Sequence, residues 1–283
     1  MSLVFTTTSC DMDLTPDSAV PEHEALRTID DCDAWVVGIY SAFKNSALYS
    51  GYMTLLPDIQ ADMAYAALNT NNGFYTNIYQ WDIKSTTDEI IAVYNGLYTI
   101  VARCNFFLDY KDQVEVNLKT TADKDNFKKR LGEVYFARAM AYAELIRLFC
   151  EPMTSVNADT ENMGICLPTT YRDDVPKVKR STLRESYNQI ISDLKSAEDN
   201  LPDSRTVADS HYFSKGAVYA LRARIYMYMG MGDLKRDRNN EYLKKSVEAA
   251  TKVIKLGVYE LSDAINNAFV IDSKYYTDYQ VMW

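Results

Sequence analysis

Rings and amides crowd into one short stretch of this chain, where Asn69, Asn71, Asn72, Phe74, Tyr75, Tyr79, Gln80, Trp81 and Asp82 fall between Asn69 and Asp82. Flat aromatic faces suit the apolar side of a sugar ring, and amides or acids suit its hydroxyls. The combination predicts a carbohydrate platform contacted by Trp81, Tyr75, Phe74, Tyr79, Asn71 and Asn72, with Asp62 upstream as a further acceptor. The alternative is that Trp81 and Tyr79 pack on the scaffold beneath the loop.

Catalysis asks for more. Hydrolysis of a glycosidic bond needs two carboxylates about 5–10 Å apart in a cleft. Asp58 and Asp62 stand four residues apart and Asp82 adjoins Trp81, but such spacings arise by chance among 39 acidic residues. The chain has two histidines, His23 and His211, and it lacks a serine nucleophile elbow, HExxH, a P-loop and GxGxxG. The reading is a binding protein, not an enzyme, with no cofactor. Five cysteines (Cys10, Cys32, Cys104, Cys150, Cys166) form no CxxC pair and have no histidine neighbour, so no metal site is expected. Cys32 and Cys104 fall on helix faces, where a free thiol acts as a small buried hydrophobe.

Composition narrows the class. With 47% hydrophobic and 24% charged residues over 283 positions, the chain is globular and can bury a full core. A net charge of -9 and the lack of any dense Lys/Arg cluster exclude a phosphate-tracking nucleic-acid binder. No run of 18 apolar residues occurs. The 22 tyrosines suit half-wet surfaces, although most are expected to pack at helix margins.

The elements that must hold the platform are helices. Ile29, Cys32, Val36, Ile39 or Tyr40, and Phe43 recur at three- and four-residue steps, with Asp30 or Asp31 to cap or complement the start. From Leu48 to about Ser85 the rhythm fails, predicting a long irregular loop. It returns at Ile90, Tyr94, Leu97, Val101, Cys104 and Leu108, with Thr87 or Asp88 as cap. Another stripe runs from Leu131 through Tyr135, Arg138, Tyr142 and Leu145 to Phe149, before Pro152. The next runs from Leu183 to Ala197, with Ser181 or Thr182 as cap, Glu185 at capping-box spacing from Thr182 and a stop at Leu201-Pro202. Two last helices, about Lys215 to Tyr228 and Tyr242 to Lys255, flank a turn at Gly230 to Asp237. Small residues at Ala217, Ala220, Ala223, Ala249 and Ala250 make this pair similar to a tetratricopeptide (TPR) unit. The predicted fold is all-α: TPR-like stacked helix pairs carrying long irregular binding loops.

At the start, a short apolar stretch and small residues precede Cys10, as at the end of a bacterial lipoprotein signal. Cys10 is therefore the expected lipidation site, with residues 1–10 a residual signal and 11–28 a flexible leader.

Several motifs in a fixed order carry a family resemblance. Gly132-Glu133-Val134-Tyr135-Phe136-Ala137-Arg138-Ala139, continued by Tyr142, Glu144-Leu145 and Arg147-Leu148-Phe149, resembles the signature helix of SusD/RagB-like proteins. Arg180-Ser181-Thr182 leading to Asp193-Leu194, Ser214-Lys215-Gly216-Ala217 leading to Arg224, and Lys255 to Leu261 follow in the family's order. Cys150 stands where the family often has glycine, and Arg222 replaces a usual apolar residue. The resemblance implies a SusD-like helical domain over 29–283 with the C-terminal part of the family fold missing. It also implies a lipid-anchored protein on the outer face of the outer membrane that passes oligosaccharide to a SusC-like TonB-dependent transporter. The competing expectation is a TPR-like scaffold that binds another protein and never touches sugar.

Overall fold

The computed structural model describes residues 21–67, 73–171, 179–206, 209, 211–232 and 238–259. After a short 3-10 turn at Glu22–Glu24 come eight α-helices among the described residues: α1 (Ile29–Phe43), α2 (Tyr52–Gln60), α3 (Thr76–Tyr79), α4 (Asp88–Glu115), α5 (Thr121–Phe149), α6 (Leu183–Asn200), α7 (Lys215–Met231) and α8 (Asn240–Leu256). The all-α, TPR-like reading holds: α4 packs on α5, α5 on α6, α6 on α7 and α7 on α8, with α1 laid across α4 and α5.

Caps fix where several helices begin. Thr28, Thr120 and Thr182 each accept from the backbone N–H three residues on, and Asp31, Asp123 and Glu185 return the bond to complete capping boxes. The first cap is thus Thr28, with Asp31 as its reciprocal partner. Cys150, at the end of α5, is extended at φ -125° and its N–H still reaches the Ile146 carbonyl, so no glycine is needed there.

The main core is one continuous cluster. Val93, Leu97, Ile100, Val101, Cys104 and Phe107 of α4 meet Val134, Ala137, Tyr142 and Leu145 of α5 and Leu183, Ile190 and Leu194 of α6. Burying each of the valine, leucine, isoleucine and phenylalanine side chains among these contributes about 1.5–3 kcal/mol. Cys32 and Cys104 are free and buried, as their helix-face positions predict.

Charged groups lock the layers. Arg138, on the stripe of α5, is buried and grips Asp193 of α6 through Nε (2.8 Å) and Nη2 (2.7 Å). Two separate signature motifs therefore meet in one bidentate pair. Arg138 also donates to Asn105 Oδ1 (2.8 Å) and to the Thr169 carbonyl (3.3 Å). Asn105 and Tyr142 both donate to the Pro168 carbonyl, and Tyr98 donates to that of Cys166. The segment 166–171 is thereby strapped to α4 and α5.

Arg222, the departure from an apolar family position, pairs with Glu198 (2.6 Å) and donates to the Leu194 carbonyl (3.0 Å), tying α7 to α6. Burial opposes ionisation of Glu198, but the hydrogen bond and charge of Arg222, with help from Tyr219 and Lys252, hold its carboxyl below the usual glutamate value. A depressed folded-state pKa adds stability above the unfolded pKa that is lost as pH falls through the folded one. We expect Arg222→Met to flatten this acid limb in urea melts taken between about pH 3 and pH 6. An unchanged slope would show that the pair is not linked to folding.

Candidate functional site

The platform is built on a small satellite core. Leu56 and Ile59 of α2 and Ile78 of α3 are buried together, and Tyr52, Ala64, Tyr75, Tyr79, Ile83 and Ile90 pack around them. The predicted loop is therefore not irregular throughout. It contains α2, with Pro57 inside it, and the single turn of α3.

Both helices end in the same device. After α2, Asp62 is left-handed at φ 58°, the Met63 N–H reaches the Asp58 carbonyl (2.9 Å) and the Asp62 N–H reaches that of Ile59 (3.3 Å). After α3, Trp81 is left-handed at φ 58°, the Asp82 N–H reaches Asn77 (2.8 Å) and the Trp81 N–H reaches Ile78 (3.1 Å). This is the Schellman pattern, whose left-handed position favours glycine or asparagine. Tyr75, at the start of α3, is left-handed too, at φ 59°. Three of the four non-glycine residues with positive φ among the described residues thus lie in this segment, the fourth being Asn162. For bulky side chains such a backbone is strained, and strain of this kind clusters where function requires it.

The strained backbone sorts the aromatic residues. Tyr79 is half-buried on the satellite core, and Tyr75 leans edge-on against Tyr52 with ring centres 6.1 Å apart. Trp81 and Phe74 instead project outward, 64% and 68% exposed. Asp62 is exposed and ends α2. Asn71, Asn72 and the lipidation candidate Cys10 lie outside the described residues.

Two exposed side chains escaped the sequence reading. Met63 and Tyr65, 78% and 80% exposed, flank Ala64, which packs on the satellite core. Tyr65 has the same chemistry as the residues singled out, but its type alone does not separate it from the many tyrosines that pack. Its signal is position, just past the left-handed Asp62. Beside the platform a cavity of about 300 Å³ opens between α2, the start of α4 and the end of α5, lined by Tyr52, Leu56, Ile83, Ile90 and Phe149. The arrangement offers outward rings, exposed Asn77, Gln80 and Asp82, and an ion pair between Lys84 and Asp82 (3.1 Å). Among the described residues no group of His, Cys, Asp or Glu could hold a metal ion.

Comparison with known proteins gives the family. The SusD-like_3 family, described as "Starch-binding associating with outer membrane", matches residues 12–227. The chain is 22% identical over 230 residues to SusD-like protein P2 of Formosa agariphila, covering 81% of this chain and 42% of that protein. A SusD homologue from Bacteroides thetaiotaomicron superposes with a TM-score of 0.69 at 21% identity, over 85% of this chain and 43% of its own. A laminarin-binding SusD-like protein superposes at 0.66 with 18% identity, over 89% and 50% respectively. The chain thus spans about half the length of the relatives it matches. With the family pattern running from α1 into α7, the chain belongs to the SusD-like family.

Proposed function

We propose that this chain is the helical, nutrient-capturing portion of a surface protein that binds oligosaccharide on the segment 62–82 and delivers it to a SusC-like TonB-dependent transporter. One observation carries the reading: a tryptophan sits where a helix end favours glycine, and it is 64% exposed. A solvent-facing indole on a strained, hydrogen-bonded turn is a preformed stacking face, and preformed faces lose little entropy on binding. Family membership and the laminarin-binding relative point to glycan as the ligand class. On this reading the chemistry is recognition without bond cleavage: Asp58, Asp62 and Asp82 are exposed, and none of them lines the cavity beside the platform. Acylation at Cys10 would hold the protein at the outer membrane.

The test is a glycan array probed with the full chain and with Trp81→Ala. Retention of one glycan class by the parent and its loss in the variant supports the reading. Equal retention by both refutes the site. A second reading, the TPR-like interaction scaffold, is favoured by one feature, a cavity of about 540 Å³ lined by residues of α1, α5 and α7, among them Phe43, Phe136 and Leu221.

A further inference from the structure

The platform is poor in cations. Over 45–102, from the end of α1 through α2 and α3 into α4, Lys84 is the one basic residue out of the chain's 30 lysines and arginines. Against it stand the five carboxylates of Asp58, Asp62, Asp82, Asp88 and Glu89, and Lys84 is itself bound to Asp82 (3.1 Å). Asp58, Asp62 and Asp82 are exposed, on or just past the two helices whose ends carry the left-handed turns. Since α2 is only about 14 Å long at helical rise and both helices rest on one satellite core, these charges stay close together.

The neighbouring elements do not make up the difference. At the end of α5, Arg147 is bound to Glu144, and Arg180 turns its guanidinium onto the carbonyls of Gly164 (2.6 Å) and Phe149 (3.1 Å). Glu144 and Glu151 offset the two arginines in charge. Arg103, further along α4, donates to the Gly38 carbonyl of α1 (2.7 Å). Lys44, at the end of α1, lines the cavity between α1, α5 and α7 and not the one beside the platform.

A carboxylate only accepts hydrogen bonds, so it pairs with a sugar hydroxyl and finds no proton on an ionised uronate, sulfate or phosphate. It also repels such groups, across about 30 Å at 0.01 M salt and about 3 Å at 1 M. A sugar stacked on Trp81 cannot step away from that field, because Asp82 is the next residue in the chain. We propose that the platform takes neutral glycans, those that bear no carboxylate, sulfate or phosphate, and that Asp62 and Asp82 set this preference. The proposal rests on the reading of the segment 62–82 as the sugar site. It goes further by fixing the charge of the ligand, on which the rings and amides have no bearing.

A paired array tests it. Neutral gluco-, galacto- and manno-oligosaccharides are printed beside their C6-oxidised uronate counterparts and probed with the full chain. The expected result at about 0.01 M salt is retention of a neutral member over its uronate partner by about tenfold, a ratio that narrows at about 1 M as the field is screened. Asp62→Asn together with Asp82→Asn should narrow it at low salt alone. Asparagine suits the left-handed backbone at position 62, so this variant keeps its fold. Glu161→Gln with Glu248→Gln, which removes two exposed charges from other parts of the chain, should leave the ratio where it was. A ratio near one in the parent, a preference for the uronates, or a ratio that neither salt nor the Asp62 and Asp82 substitutions move would overturn this proposal and leave the sugar site standing. Retention of no member of either series, or retention that Trp81→Ala leaves intact, would refute the site and the proposal with it.

Discussion

Asp193→Ala is expected to destabilise the fold by about 3–5 kcal/mol, the cost of leaving one partner of a buried ion pair uncompensated. Asp193 is 2% exposed and holds two nitrogens of Arg138, itself 5% exposed. Removing the carboxylate strands a guanidinium between α5 and α6, left with the Asn105 and Thr169 oxygens and the face of the Tyr135 ring. Against a typical total of about 5–15 kcal/mol, that loss lowers the thermal midpoint by about 10 °C. The paired change Arg138→Met with Asp193→Leu should cost less than the two single changes added together, because no charge is then left buried. Part of the cost stays, since Arg138 also straps the segment 166–171. Urea melts of the four proteins give the coupling directly. If Asp193→Ala melts within about 1 kcal/mol of the parent, water reaches the pair and it does not lock the layers.

The same pair shows what could be read from the sequence. Arg138 and Asp193 stood in two separate motifs, on helices whose periodicity was clear, but nothing in either motif said that they touch. Stripes such as Leu97, Val101 and Cys104 located the long helices because a one-sided apolar face is what a packed helix must show. Thr182 and Glu185 gave the start of α6 for a similar reason: the capping box is local chemistry and needs no tertiary partner. α2 and α3 were missed. α2 is nine residues with a proline inside it, and α3 is four residues, too short to display a period. Both are stabilised by the satellite core of Leu56, Ile59 and Ile78, a contact between distant parts of one loop. The ring-rich segment itself was legible as composition. Which rings face outward was not, because that depends on left-handed turns at Asp62, Tyr75 and Trp81, and the types of Tyr75 and Trp81 argue against such a turn.

This conflict between residue type and backbone supplies the most discriminating experiment on the site. At φ 58° an indole-bearing residue carries strain of about 1 kcal/mol that glycine does not. Glycine also gives the unfolded chain more freedom, which takes back a similar amount. Trp81→Gly should therefore leave stability within about 1 kcal/mol of the parent, while Trp81→Ala keeps the strain and loses only a ring that is mostly in water. Binding should respond in the opposite manner. Both variants lack the stacking face, so each should lose about 2 kcal/mol or more, a drop in affinity of roughly 30-fold or more. Calorimetric titration with the glycan retained on the array, run beside thermal melts, reads both quantities. Lost affinity with an unmoved midpoint in Trp81→Gly assigns the strained turn to recognition. An unchanged affinity, or a midpoint that collapses in both variants, would mean that the indole serves the fold and that the platform's ligand face must be sought at Phe74 and Tyr65.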